Sequence, residues 1–511
     1  MAWIIAATVV ALLAVLWLVR DMTQKKSAIL RNFPIVGHGR YFLESLGPKL
    51  RQYIVASNDE ERPFTRDQRH WVYRSAAKGN NYFGFGTDNA IERTPNYLIV
   101  KQSAFPINEP HEGDDNYDEL HRIPSAKVLG GWRGREKAFR LPSIVNTSAM
   151  SYGSLSAVAV EAMNRGCQIA GCLQNTGEGG VAPHHDHGGE LVWQIGTGYF
   201  GCRDEQGNFS IDCFLDTVER YPVRAIEVKI SQGAKPGKGG VLPAAKITPE
   251  ISQIRGIPMG MDCLSPSSHS AFHDVDSMLD FVEMLAERSG LPVGIKSAVG
   301  QLDFWHDLAD TMNREQRGVD FIAIDGGEGG TGAAPLVFSD HVALPFMLGF
   351  CRVHRIFFEA GMHDKVSFVG SGKLGFPQSA LFAFALGCDT IAVGREAMMA
   401  VGCIQAQECH TGFCPTGVAT QRKWLMRGLV PGVKAHNLAN YIVTLRKEIL
   451  QLCCACGVIH PSLITTDHFE ILNPGDQSES IVNFFEMPAE SRMPGEQDRE
   501  QLEQLMNSGG I

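Results

Sequence analysis

From residue 141 onward the chain alternates short apolar runs with longer amphipathic stretches. Eight runs stand out: "SIVNTSAM" (143–150), "CLQNTG" (172–177), "IGTGYF" (195–200), "AIEVKIS" (225–231), "PVGIKSA" (292–298), "FIAIDGG" (321–327), "VSFVGSG" (366–372) and "TIAVGRE" (390–396). Most are rich in β-branched residues, and polar or glycine residues close them. An alternation of strand and helix patterns predicts a parallel sheet. Eight repeats over 141–400 predict a closed (β/α)8 TIM barrel of the α/β class. The connection between the second and third runs is short on helical pattern. Polar and glycine residues gather at the C-terminal ends of the runs, where such barrels carry their active sites.

The flanks read differently. Residues 2–19, "AWIIAATVVALLAVLWLV", carry no charge. As a helix they would span roughly 27 Å, enough to cross a hydrocarbon core. Arg20, Lys25 and Lys26 follow the run and no Lys or Arg precedes it. The positive-inside rule then places the body in the cytoplasm, as a single-pass anchored protein. A cleaved signal peptide would carry a basic n-region and a small-x-small cleavage site, and neither is evident. The expected organisation is an anchor at 1–20, an N-terminal extension at 21–140, the barrel at 141–425, and a helical extension and tail at 426–511. Within the extension, "NDEERPFTRDQRHWVYR" (58–74) reads as a surface turn then a helix, and 81–140 as irregular chain or a lid. In the last segment "NLANYIVTLRKEILQLCCACG" (437–457) reads as a helix, followed by an acidic, polar tail.

Composition narrows the picture. A net charge of −10 gives a nucleic-acid partner no electrostatic footprint. Thirteen cysteines in such a chain suit a reducing compartment.

The strand ends carry the candidate chemistry. "FVGSGKLG" (368–375) and "IAVGREAM" (391–398) close the seventh and eighth runs, where barrels commonly bind phosphate on backbone N–H groups and a short helix N-terminus. Gly370, Ser371 and Gly372 would let the backbone approach an anion, and Gly394 with Arg395 would add donors and charge. "DGGEGGTGAAP" (325–335) contains G-x-G-x-x-G, but Pro335 and the lack of a strand-ending acid about 20 residues on argue against a dinucleotide fold. A glycine loop beside a flavin ring or substrate fits better. "EVKISQGAKPGKGG" (227–240) sets Lys229 and Gln232 at a strand end, then Lys235 and Lys238 in a loop suited to carboxylate capture, or to plain solvation. "NTGEGG" (175–180) presents Glu178 either as an acid/base or ammonium contact, or as a turn residue.

"CIQAQECHTGFC" places Cys403, Cys409 and Cys414 at a C-x5-C-x4-C spacing. Zinc sites normally use C-x2–4-C pairs and four ligands. Spacing alone leaves open a three-iron cluster, three buried free cysteines, and a zinc or disulfide site. Cys453, Cys454 and Cys456 sit on a helical pattern and read as buried structural residues.

Together "SAMSYGSLS", "NTGEGG", "EVKISQGAKPGKGG", "GGTGAAP", "FVGSGKLG", "AVGREAM" and "CIQAQECHTGFCPTGVATQ" resemble, in order and spacing, the FMN-binding synthase domain of glutamate synthase. The resemblance implies an oxidoreductase acting on CH–NH2 donors, with FMN and a 3Fe-4S cluster, reducing a 2-imino acid made from 2-oxoglutarate and ammonia. It implies flavin contacts at Ala149, Met150, Ser151, Gln232 and Lys296, and phosphate contacts at Gly370, Gly372, Gly394 and Arg395. Lys229, Gln232 and Arg255 would bind the 2-oxo acid, with Lys235 and Glu178 nearest the chemistry. Cys403, Cys409 and Cys414 would hold the cluster. Full-length members begin with a glutaminase whose nucleophile is an N-terminal cysteine, whereas this sequence begins Met-Ala-Trp. "SPSSHSAFHD" (265–274) also stands where the large enzymes carry Pro-Pro-Pro-His-His. The chain therefore looks like a stand-alone branch that takes free ammonia or an amine, with electrons from a ferredoxin or a partner subunit. The alternative is a flavin and iron–sulfur relay subunit of a membrane redox complex.

Overall fold

A computed structural model of the protein describes residues 2–53, 61–475, 477–488 and 496–507. Eight parallel strands close into a barrel: β1 (Val145–Thr147), β2 (Gln174–Asn175), β3 (Leu191–Ile195), β4 (Val223–Lys229), β5 (Val293–Ser297), β6 (Phe321–Asp325), β7 (Ser367–Ser371) and β8 (Thr390–Val393). They pair in chain order, and β8 returns to β1 through Ile391 opposite Val145.

Six strands lie within the expected runs, and β4 starts two residues ahead of its run. The third lies outside its run. "IGTGYF" begins at the last residue of β3, so the strand is "LVWQI" and the expected run is the loop that follows it. The helix-poor connection before it holds only a short 3-10 turn at Pro183–His185.

Alternation along β4 sorts its side chains. Ala225, Glu227 and Lys229 share one face, as a period of two requires. Glu227 accepts hydrogen bonds from Asn175 on β2 (2.9 Å) and Gln194 on β3 (2.6 Å), so that face looks into the barrel. Lower down, Ala225, Leu173, Phe321, Val192 and Val369 pack with Leu129, Phe139 and Leu141. The hairpin Val128–Leu129/Phe139–Arg140 thus plugs the N-terminal end of the barrel with apolar side chains. The interior changes from apolar at the bottom to charged at the top.

The flanking segments share elements. Tyr97–Val100 pairs antiparallel with Phe469–Asn473, which pairs in turn with Gln477–Ser480. The tail therefore contributes strands beyond the expected helix, which runs over Pro431–Ala455 and packs on Ala157–Ala170 of the barrel layer. Residues 58–60 of the expected surface turn lie outside the described residues; the helix after it runs over Arg66–Ala76, capped by Thr65. Cys453, Cys454 and Cys456 are buried, as expected for structural thiols. All thirteen cysteines are free, which removes the disulfide reading of the cysteine loop.

At the N-terminus, α1 (Ala2–Thr23) exposes its apolar stretch, and Asp21 near its end is buried. It is long and apolar enough to cross a membrane, a test that a signal sequence also passes. Two further helices follow, α2 (Ala28–Asn32) and α3 (Val36–Tyr53).

Candidate active site

The loops beyond β2, β4, β5 and β6 converge at the charged end of the barrel. Glu178, immediately after the Asn175-Thr176-Gly177 turn, pairs with Lys229 Nζ at 2.9 Å. The same ammonium donates to Gln232 Oε1 at 2.6 Å. Lys235 is buried and donates to the Ala333 carbonyl at 3.2 Å, which ties the lysine loop to the glycine loop beyond β6. Their crossing dictates composition: a Cβ on Gly233 would lie 1.8 Å from the Gly326 carbonyl oxygen, so no other residue fits. The Gly233 amide also donates to Asp325 Oδ2 at 2.8 Å.

Charge in this pocket is lopsided. Burial raises the Glu178 carboxyl pKa, but Lys229, Lys235 and Arg255 outweigh it and the pKa is lowered. Glu178 is therefore a fixed anion near neutral pH. Burial pushes the Lys235 ammonium down to about 8, with Glu178 opposing and Lys229 and Lys238 adding to the shift. Arg255 is buried, donates to the Tyr152 carbonyl at 2.9 Å and lies over the Phe200 ring at 5.0 Å. Its Nε has no hydrogen-bond partner among the described residues. A buried donor without a partner is costly, and a carboxylate would satisfy it. A cavity of about 230 Å³ lies beyond Phe200 and Cys263; Glu178, Lys229 and Lys235 do not line it.

Lys296, at the end of β5, is buried 3.4 Å from Asp325. Burial works against its charge, but Asp325 and then Glu227 hold its pKa above the usual lysine value. Ala149, Met150 and Ser151 are half-buried just past β1. Gly370 ends within β7, Gly372 follows it at φ +149°, and Gly394 with Arg395 follows β8. Arg395 donates to the Glu328 carbonyl at 2.6 Å. The structure brings the expected flavin and substrate residues to one end of the barrel.

The cysteines occupy the loop after the helix Arg395–Val401. Burial lifts the Cys403 thiol to about 12, and neighbouring Cys414 and Cys409 add to the shift. The three thiols therefore feel one another's charge. Lys246 is buried between this loop and the β1 loop, donating to the carbonyls of Cys409 (3.1 Å) and Ser154 (2.9 Å). Among the described residues no group of three or more His, Cys, Asp or Glu side chains is arranged to hold a metal ion. The donor set suits a cluster, but these side chains are not converged on one.

The family model described as the conserved region in glutamate synthase matches residues 108–459. The chain belongs to the glutamate synthase family. A glutamate synthase large subunit-like protein of Bacillus subtilis is 34% identical, over 91% of this chain and 94% of its own length. An archaeal glutamate synthase [NADPH] of Methanocaldococcus jannaschii is 36% identical over 62% of this chain and 60% of its own. A ferredoxin-dependent glutamate synthase of Cyanidium caldarium is 33% identical over 63% of this chain, which spans only 21% of that protein. The chain is thus an oxidoreductase of glutamate synthase type.

For this glutamate synthase-type barrel, the residues present fit FMN. The half-buried β1 loop offers a flat contact, and Lys296 offers a buried cation of the kind that stabilises anionic reduced flavin. At Gly394 a Cβ would meet only Ser148, at 3.5 Å, leaving an open cradle beside Arg395. At Gly372 the backbone conformation itself demands glycine. Gly372→Val should fold with a distorted cradle and lose flavin absorbance on purification. Retention of stoichiometric FMN would remove Gly372 from the phosphate site.

Two residues central to this end escaped the sequence reading, Glu227 and Asp325. Each is an acid inside an apolar strand run, a signal that marks a barrel-interior charge once the strand is assigned.

Proposed function

We propose that the chain makes an amino acid by reducing a 2-imino acid formed from 2-oxoglutarate, or a similar 2-oxo acid, and ammonia or an amine. The observation that carries this reading is the single fixed anion, Glu178, among Lys229, Lys235 and Arg255. Such a pocket has surplus positive charge for a dicarboxylate and one carboxylate for a cationic imine.

Each residue then has a task. Arg255 and Lys229 clamp the carboxylates, Arg255 through its free Nε, and arginine favours bidentate contact. Gln232 orients Lys229. Glu178 stays ionised and stabilises positive charge as the imine becomes an iminium. Lys235 sits near neutral pH in its titration and supplies or takes the proton at nitrogen. FMN, when bound by Ala149, Met150, Ser151, Gln232 and Lys296 with its phosphate at Gly370, Gly372, Gly394 and Arg395, supplies hydride chemistry.

Cys403, Cys409 and Cys414 are read as ligands of a 3Fe-4S cluster, which takes one thiolate per iron. Electrons would come from a ferredoxin or partner subunit, and α1 would anchor the barrel to the cytoplasmic face of a membrane. Full-length protein with 2-oxoglutarate, ammonium and a chemical reductant should form glutamate. No turnover with any 2-oxo acid would overturn the synthase reading in favour of a relay subunit. Cys409→Ser should lose the cluster's EPR signal and bound iron while keeping FMN; unchanged iron content would remove Cys409 from the ligand set.

A further inference from the structure

We infer that α3 is a second membrane contact, lying in the plane of the bilayer surface and seating the cysteine-loop side of the barrel against it. This rests on the proposed membrane anchoring by α1 and adds a surface that a simple tether would not need.

The first observation is the face that α3 leaves open. Val36, Phe42 and Leu43 are 80%, 63% and 64% exposed. At 100° per residue they fall with Gly39 and Leu46 on one arc of about 120°, flanked by Arg40 and Glu44 about 40° and 80° beyond Val36. Arg40 and Glu44 pair with each other at 3.8 Å. The apolar side is covered by nothing among the described residues.

The second observation is that α3 is a poor helix on its own. "VGHG" opens it and "LGPK" interrupts it, and glycine and proline are the weakest helix formers. Helices of this length take most of their stability from packing an apolar face. An apolar face left in water does not supply that.

The third observation is what surrounds the face. Arg20, Lys25 and Lys26 are exposed beside it and form no ion pair among the described residues. Three unmatched cations suit anionic headgroups. The same cations would repel a second copy meeting this face across a two-fold axis. Exposed aromatic residues with polar tips ring the end of α1. Trp17 Nε1 lies 3.0 Å from His38 Nε2, and Tyr41 bonds Ser27 Oγ. Trp424, from the barrel side, meets Phe33 edge-on at 5.7 Å. Tryptophan and tyrosine favour this membrane depth.

The platform is fixed to the body. Asn32 donates to the Leu425 carbonyl at 2.6 Å, and the His38 ring bonds the buried Asp21 at 2.9 Å. The segment just past Cys414 is therefore held at the same level as the end of α1.

The test uses full-length protein reconstituted into vesicles of phosphatidylcholine and phosphatidylglycerol carrying a diazirine-tagged lipid, with adducts mapped by peptide mass. Wild type should show lipid adducts on residues 2–19 and on 36–46. The double variant F42E/L43E should keep the first set and lose the second to background. Adducts on 2–19 alone in the wild type would overturn the in-plane contact while sparing the anchor. A protein–protein crosslink through Phe42 in place of lipid adducts would overturn it in favour of self-association. Adducts on neither segment would overturn the anchoring reading along with it.

Discussion

Lys235→Met is expected to cut kcat by at least about 100-fold, the lower range for losing a positioned acid or base. It should also erase a limb in the pH–rate profile near 8. The lysine is held at about 8 by burial, so in wild type it is protonated below that pH and neutral above it. If it donates the proton at nitrogen, wild-type turnover falls as pH rises through 8. Methionine keeps the length and the apolar stem but has no proton to give, so the variant's residual rate should be flat there. Stability separates this from a structural role. A lysine whose folded pKa lies below its unfolded value is a cost below that folded pKa, relieved as pH rises from 8 towards 10.5. Removing the charge therefore leaves the fold at least as stable near neutral pH. A variant that melts far earlier, or keeps the limb at 8, would refute the assignment.

Of the cations of this site, Lys229 was legible from its strand end and Lys235 from the loop that follows, whereas Lys296 and Arg255 came only from the family resemblance. Lys229 closes β4, where position alone marks a barrel residue as a candidate. The acidic partner of Lys296 was not legible, since Asp325 meets Lys296 across 29 residues and the pairing exists only once β5 and β6 are side by side. The same interior chemistry explains the misplaced third strand. Gln194 interrupts "LVWQI" because it faces inward and bonds Glu227, so the run loses the unbroken apolar signature of a buried strand. The hairpin that plugs the barrel hid in irregular sequence because its strands are two residues each, too short for periodicity. The cysteine loop was the reverse case. Its spacing marked three thiols, and the fold places them on one loop, yet spacing says nothing of whether their sulfurs converge.

The largest effect on stability is expected from Asp325→Ala. Asp325 is the nearest counter-charge to buried Lys296, at 3.4 Å, and also receives the Gly233 amide that locks two active-site loops together. Removing one partner of a buried pair costs about 3–5 kcal/mol, because the remaining charge stays desolvated without its partner. Glu227 still faces Lys296, which sets the expectation at the lower end, about 3 kcal/mol, read from the urea midpoint. The pH dependence has a definite sign. In wild type the Lys296 pKa is raised, so its contribution is fully present below the unfolded value and is lost only as pH climbs through the folded one. In the variant the main cause of that rise is gone, and the deficit should shrink as alkaline pH lets Lys296 lose its proton. D325A/K296M should recover most of the loss, since no charge is then stranded, leaving only the Gly233 amide without its acceptor. A single variant that loses under about 1 kcal/mol, or a double variant no better than the single, would show that the pair does not bear on stability.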